Sequence, residues 1–157
     1  MFSSQVYLIH SNVLYRYESN GFFDQTTLAG NSMICGNQTT VGATPSFNTT
    51  AQQVLMDLKI ATPKITGFFA ATKTQLAGGG AIYAIAQCAE TATESACLDC
   101  LTVGYNNIHM CLPNTDGRAF DAGCFMRYSE TAFFADNQTI DIAPFLKQGT
   151  VRITPLH

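Results

Sequence analysis

The residues with the most chemistry in this sequence are six cysteines: Cys35, Cys88, Cys97, Cys100, Cys111 and Cys124. Three of them fall in CAETATESACLDC, residues 88–100, spaced C-x8-C-x2-C. A CxxC pair can be a redox dithiol, half of a zinc site, or members of two separate disulfides. Structural zinc takes four Cys or His ligands, commonly as two close pairs. No second pair is present, and the histidines lie apart at His10, His109 and His157. A redox pair needs a thiol of lowered pKa at a helix N-terminus. Here Leu98 and Asp99 stand between the cysteines, and a nearby carboxylate raises a thiol pKa. The redox reading also leaves four cysteines unexplained. Three disulfides use all six, although the sequence allows fifteen connectivities.

Other groups offer less. Asp99, Asp116, Asp121 and Glu130 could serve glycoside hydrolysis only if two of them faced each other across a cleft, which their spacing does not require. Gly78-Gly79-Gly80 lacks the Lys-Ser/Thr of a phosphate loop and reads as a strand connection. Arg118 and Arg127 are candidates for a ligand groove but read more simply as solvated or locally paired. Tyr83, Phe120, Phe125, Tyr128, Phe133 and Phe134 resemble a sugar-stacking set, yet at strand spacing they read as sheet core. The sequence assigns no catalytic residue, metal or cofactor. Three N-glycosylation sequons begin at Asn37, Asn48 and Asn137. Beside an even cysteine count they favour the secretory route.

Composition narrows the classes. Of 157 residues 46% are apolar and 12% charged, a globular balance able to bury a core. The net charge of −3, with few scattered Lys and Arg, gives no nucleic-acid footprint. No apolar run approaches the roughly 18 residues of a membrane span. MFSSQVYLIHSN is too short and polar for a signal peptide. With the sequons, this predicts a chain that lacks its natural N-terminus.

Several elements must position these groups. Residues 48–61 carry a helical apolar stripe, with a capping box at Thr50-x-x-Gln53 and an end at Pro63. Segments 67–76 and 81–89 read as a β-hairpin around the three glycines, the second strand being internal because both its faces are apolar. Residues 94–110 form a second helix, capped by Thr93 or by Thr91-x-x-Glu94. LPNTDG, 112–117, is a turn cluster. GRAFDAG and CFMRYSETAFF give two more strands, and a short strand near Cys35 precedes them all. The order predicts an α+β fold with an antiparallel sheet and both helices on one face. An internal repeat aligns VLYRYESNGFF, 13–23, with CFMRYSETAFF, 124–134. Residues 1–28 thus read as a remnant of an upstream repeat plus linker, 29–147 as one complete domain, and 148–157 as a C-terminal tail.

The spacing Cys35…Cys88-x8-Cys97-x2-Cys100-x10-Cys111-x12-Cys124, with ICGN, the GRAF stretch and CFMRYS, resembles the plant salt-stress-response/antifungal domain. This is the ginkbilobin-type module of cysteine-rich receptor-like kinases and plasmodesmata-located proteins. The resemblance covers residues 35–134. It implies the pairing Cys35–Cys111, Cys88–Cys97 and Cys100–Cys124. It implies a five-stranded antiparallel sheet with two helices. It implies extracellular or apoplastic recognition by a non-catalytic module in stress and defence signalling, whose parent protein carries a separate serine/threonine kinase domain. Its partners would be an extracellular ligand, carbohydrate among the candidates, or a similar ectodomain. The family's mannose-binding antifungal member uses an Asn, an Arg and a Glu. The Arg falls on Arg118. The Asn position is Gly36, with Asn37 one further. The Glu position is Ser129, with Glu130 next. A one-residue slip within a strand turns a side chain to the opposite face, so Asn37 and Glu130 do not follow in register.

Overall fold

The computed structural model describes residues 6–10, 13–17, 32–39 and 44–147. Residues 18–31, with the proposed start of the complete domain at residue 29, and the tail 148–157 lie outside the described residues. The described elements are strands β1 (Val6–His10), β2 (Val13–Tyr17) and β3 (Ser32–Cys35), helix α1 (Thr44–Ala61), strands β4 (Phe69–Gln75) and β5 (Ala81–Cys88), helix α2 (Glu94–Ile108), strands β6 (Asp116–Phe120) and β7 (Cys124–Ser129), and the short helix α3 (Ala143–Leu146). Strands β3-β6-β7-β5-β4 form one antiparallel sheet in that order. The disulfides join Cys35–Cys111, Cys88–Cys97 and Cys100–Cys124. This is the α+β fold, with the bridges, that the resemblance implies.

Both long helices pack on one sheet face. From α1, Phe47, Ala51, Val54, Leu55, Leu58 and Ala61 are buried at three- and four-residue spacing. From α2, Cys97, Cys100, Leu101, Gly104 and Ile108 are buried. The sheet answers mostly with small side chains, Ala70, Ala84, Ala86 and Ala119, which let the helices approach closely. Met126 fills the space over Gly104, where an added Cβ would meet its sulfur at 3.4 Å. Thr93 caps α2, its side chain accepting from Ala96 N at 3.1 Å. Cys88 ends β5 and Cys97 lies in the first turn of α2, so their bridge closes the strand-to-helix corner.

Three local expectations need correction. Helix α1 starts at Thr44, so Thr50 lies inside it and forms no capping box. Gln53 instead donates to Asp57 Oδ1 at 2.8 Å along the exposed face. The earlier start brings Phe47 into the core beside Tyr128, ring centroids 6.3 Å apart. Strand β7 stops at Ser129 instead of running to Phe134, and Ser129 Oγ accepts from Thr131 N at 3.1 Å. That side-chain turn diverts the chain, and Phe133 and Phe134 fold onto the sheet's other face against Ala71, Ile85 and Phe125. Strand β6 starts at Asp116, inside the turn cluster, and stops at Phe120 instead of running through GRAFDAG to Gly123. The glycine connection stands as expected, with Gly78, Gly79 and Gly80 all at positive φ.

The chain after β7 also covers an edge of the sheet. Ile140 N donates to Ala71 O at 2.9 Å, and Lys73 pairs with Asp136 at 3.2 Å. This shields β4 from pairing with another chain. Separately, β1 and β2 pair antiparallel, with Tyr17 opposite Val6 and Val13 opposite His10.

Tyr128 is buried at the centre of the sheet and its hydroxyl donates to Asn114 O at 2.7 Å. Burial, and then the neighbouring Asp116 carboxylate, hold its ionisation well above the ordinary tyrosine range. In the unfolded chain a tyrosine ionises near pH ~10. Above that pH the unfolded state therefore binds fewer protons than the folded one, and stability falls. The expected decline from this group is about 1.4 kcal/mol per pH unit above pH ~10, with no contribution below it. Denaturant titrations across this range should show the fall, and Tyr128→Phe should flatten it.

Candidate functional site

The strand register arranges the outer sheet face in rows. One row reads Ile34, Arg118, Arg127, Ile85 and Ala71 across five strands. The adjacent row reads Asp116, Ser129, Tyr83 and Lys73. Arg118 and Arg127 are direct cross-strand partners, a pairing that like charge disfavours. Asp116 compensates both. Its Oδ2 accepts from Arg127 Nη2 at 2.9 Å, and its Oδ1 lies 3.7 Å from Arg118 Nε. The Arg127 guanidinium also lies 4.1 Å from the centroid of the Phe133 ring, within cation–π range. Arg127 Nε is buried with no acceptor among the described residues.

Asp116, Arg127 and Phe133 line a recess of about 350 Å³ together with Asn37, Gln38 and Glu130. The segment after β3 is fixed there by its backbone. Gly36 N donates to Asp116 O at 2.8 Å, Asn114 Nδ2 donates to Gly36 O at 2.7 Å, and Thr115 N donates to Gln38 O at 2.9 Å. On the other side Glu130 N donates to Thr115 O at 3.0 Å. Every one of these anchors involves residues 114–116, so the entry to β6 organises the site.

Asn37 and Glu130, both one residue out of register with the family's sugar ligands, therefore reach the same recess. The pleat argument against them does not apply, because β3 ends at Cys35 and β7 at Ser129. Past a strand end, faces no longer alternate. Ser129 itself is buried. Arg118 does not line the recess; it flanks it through Asp116. At Gly36 an added Cβ would stand 3.1 Å from Asp116 Cβ and 3.2 Å from Asp116 O. A side chain at the position of the family's Asn must push against the start of β6.

Arg127 is both locally paired and part of the recess, so the two readings of the arginines are not exclusive. Of the aromatic set, Phe125 and Tyr128 are core residues, while Phe133 is half-buried on the recess wall. Gln38 and Thr131 line the recess without a prior signal; their position depends on where strands stop. Of the four carboxylates, Asp116 and Glu130 meet there. Cys97 and Cys100 each bond elsewhere, so no CxxC dithiol exists. Among the described residues no group of three or more His, Cys, Asp or Glu is placed to hold a metal. The site offers planar polar groups, paired charges and one aromatic ring, an arrangement suited to binding hydroxyl-rich or amide-bearing ligands.

Comparison with known proteins agrees with this architecture. The salt stress response/antifungal family profile matches residues 34–131. Cysteine-rich receptor-like protein kinase 42 of Arabidopsis thaliana is 29% identical over 133 residues, covering 84% of this chain and 19% of that protein. Cysteine-rich receptor-like protein kinase 1 of the same plant is 35% identical over 86 residues, covering 54% of this chain and 13% of that protein. The chain thus spans less than a fifth of these kinases. The tandem DUF26 ectodomain of the Arabidopsis thaliana cysteine-rich receptor-like protein PDLP5 superposes with a TM-score of 0.55 at 18% identity, covering 65% of this chain and 50% of that one. That of PDLP8 gives 0.55 at 20% identity, covering 65% and 48%. With its six bridged cysteines and their matched profile, the chain belongs to the salt stress response/antifungal, or DUF26, family.

Proposed function

We propose that this chain is an extracellular recognition module of a cysteine-rich receptor-like protein, non-catalytic, and that it holds its ligand in the recess around Asp116 and Arg127. The carrying observation is the Asp116–Arg127–Phe133 constellation, a rigid polar and aromatic wall open to solvent. Sequence similarity to receptor-like kinases and fold similarity to DUF26 ectodomains support the extracellular setting. The β1–β2 register supports a preceding copy of the domain. Tyr17 pairs with Val6 as Tyr128 pairs with Gly117, which sets Arg16 where Arg127 stands. Residues 1–28 are then the end of that copy and the linker.

The second reading is a secreted mannose-binding antifungal protein. Asn37 and Glu130 at the recess favour it; Gly36, packed against Asp116, counts against it. Calorimetric titration with mannose and with mannose- and N-acetylglucosamine-containing oligosaccharides separates the readings. A recess ligand should lose about tenfold or more in affinity on Arg127→Ala, the scale of one charged hydrogen bond. Arg118→Ala should lose less, because Arg118 flanks the recess. Absence of binding heat at millimolar mannose removes the lectin reading. A bound ligand indifferent to Arg127→Ala removes the recess.

A further inference from the structure

One sequon sits on the recess itself. Asn37 is exposed and lines the recess, and Thr39, which completes its sequon, is also exposed. The backbone on either side of Asn37 is held at the recess, since Gly36 and Gln38 are hydrogen-bonded to residues 114–116. The other two sequons differ. Asn48 is half-buried in α1, its Oδ1 enclosed. Asn137 is exposed on a short 3-10 turn and does not line this recess.

Order of synthesis favours modification at Asn37. Cys111, the partner of Cys35, lies 76 residues further along the chain. When residue 37 enters an oxidising lumen, the bridge that later fixes it cannot yet exist. Asn37 is then an extended, accessible acceptor.

We propose that Asn37 is N-glycosylated and that its first sugar lies over the recess, so that the glycoform is closed and the unmodified chain open. In this transfer Asn37 Nδ2 bonds to C1 of the first N-acetylglucosamine of a polyprenyl-diphosphate-linked oligosaccharide. The C1–O bond to diphosphate breaks, and the amide proton leaves with the polyprenyl diphosphate. Arg127, Asp116 and Gln38 offer donors and acceptors to that sugar, and Phe133 offers an apolar ring. Occupancy of Asn37 would then regulate the recess, an inference that rests on the recess being the ligand site.

The test uses the full chain made in a secretory host and needs no external ligand, so its outcome is independent of the sugar titrations. Peptide mass spectrometry reads occupancy at Asn37. Hydrogen–deuterium exchange of the segment 129–134 is compared between the glycoform, the glycoform trimmed to one N-acetylglucosamine, Thr39→Ala and Asn37→Gln. The expected result is occupancy at Asn37 and exchange at least threefold slower in both glycoforms than in both variants. Loss of the Asn137 glycan should leave the exchange unchanged. An unoccupied Asn37 overturns the proposal. So does an occupied Asn37 with equal exchange in all four proteins, or a change in Thr39→Ala that Asn37→Gln does not share.

Discussion

Replacing Cys35 and Cys111 together by alanine should lower the unfolding free energy by about 4–5 kcal/mol, the largest loss among the three bridges. The two cysteines lie 76 residues apart, against 24 for Cys100–Cys124 and 9 for Cys88–Cys97. On the chain-entropy account, a longer closed loop restricts the unfolded chain more, giving roughly 3.5 and 2.7 kcal/mol for the shorter two. Alanine is the right replacement, because Cys111 is buried and a serine hydroxyl there would need a partner. Guanidinium titrations of the three double variants test the order. A greater loss for the short Cys88–Cys97 loop would move the explanation from loop entropy to strain or packing in the folded state. The Cys35–Cys111 bridge also bears on the site. Strand β3 has four residues and, among the described residues, pairs with β6 alone. Its bridge is the covalent tie between that edge and the helix layer, and Gly36 and Asn37 follow at once. The variant should therefore lose protection of amides 33–38 well before the rest of the sheet.

The cysteine spacing carried the fold through the family it resembles, which implies the pairing that the residues alone left open among fifteen connectivities. The Cys88–Cys97 bridge spans a short connection and places a strand end beside a helix start. The glycine run, the Thr93 cap and the apolar stripes are local signals, and each held where local chemistry decides. The error at the helix start came where a distant contact decides, and the error at the strand end from a local side-chain turn. Helix α1 begins at Thr44 because Phe47 reaches the core beside Tyr128, residues far apart in sequence. Strand β7 ends at Ser129 because a hydroxyl captures a backbone amide two residues on. That early end is also why Glu130 reaches the recess. The rule that a one-residue slip changes faces is sound within a strand, and the slip fell outside one. Asp116 was legible only as one carboxylate among four. Its role comes from cross-strand register, which sets Arg118 directly opposite Arg127 and makes a bridging anion valuable.

Substitution of Gly117 should be the second large effect. In the sequence it both closes the turn cluster LPNTDG and opens the strand stretch GRAFDAG. In the structure it is a strand residue, paired with Cys35 on one side and Tyr128 on the other, and it is not among the glycines at positive φ. It is needed for space. A Cβ built on Gly117 would stand 2.5 Å from Tyr128 Cε1 and 3.1 Å from Cys111 Cβ. The tyrosine ring cannot swing aside easily, since it is buried, its hydroxyl is bonded to Asn114 O and it packs beside Phe47. Cys111 is held by its bridge to Cys35. Gly117→Ala should therefore cost about 3 kcal/mol, the upper end of the usual overpacking range. Removing the ring should relieve it: in a Tyr128→Ala background the same substitution should cost under about 1 kcal/mol, a coupling expected of residues in direct contact. Equal costs in both backgrounds would place the strain in the backbone or at Cys111. Because Asp116 precedes Gly117, a displaced β6 also moves the carboxylate that holds Arg127. Gly117→Ala should thus weaken any recess ligand even at temperatures where the variant is fully folded.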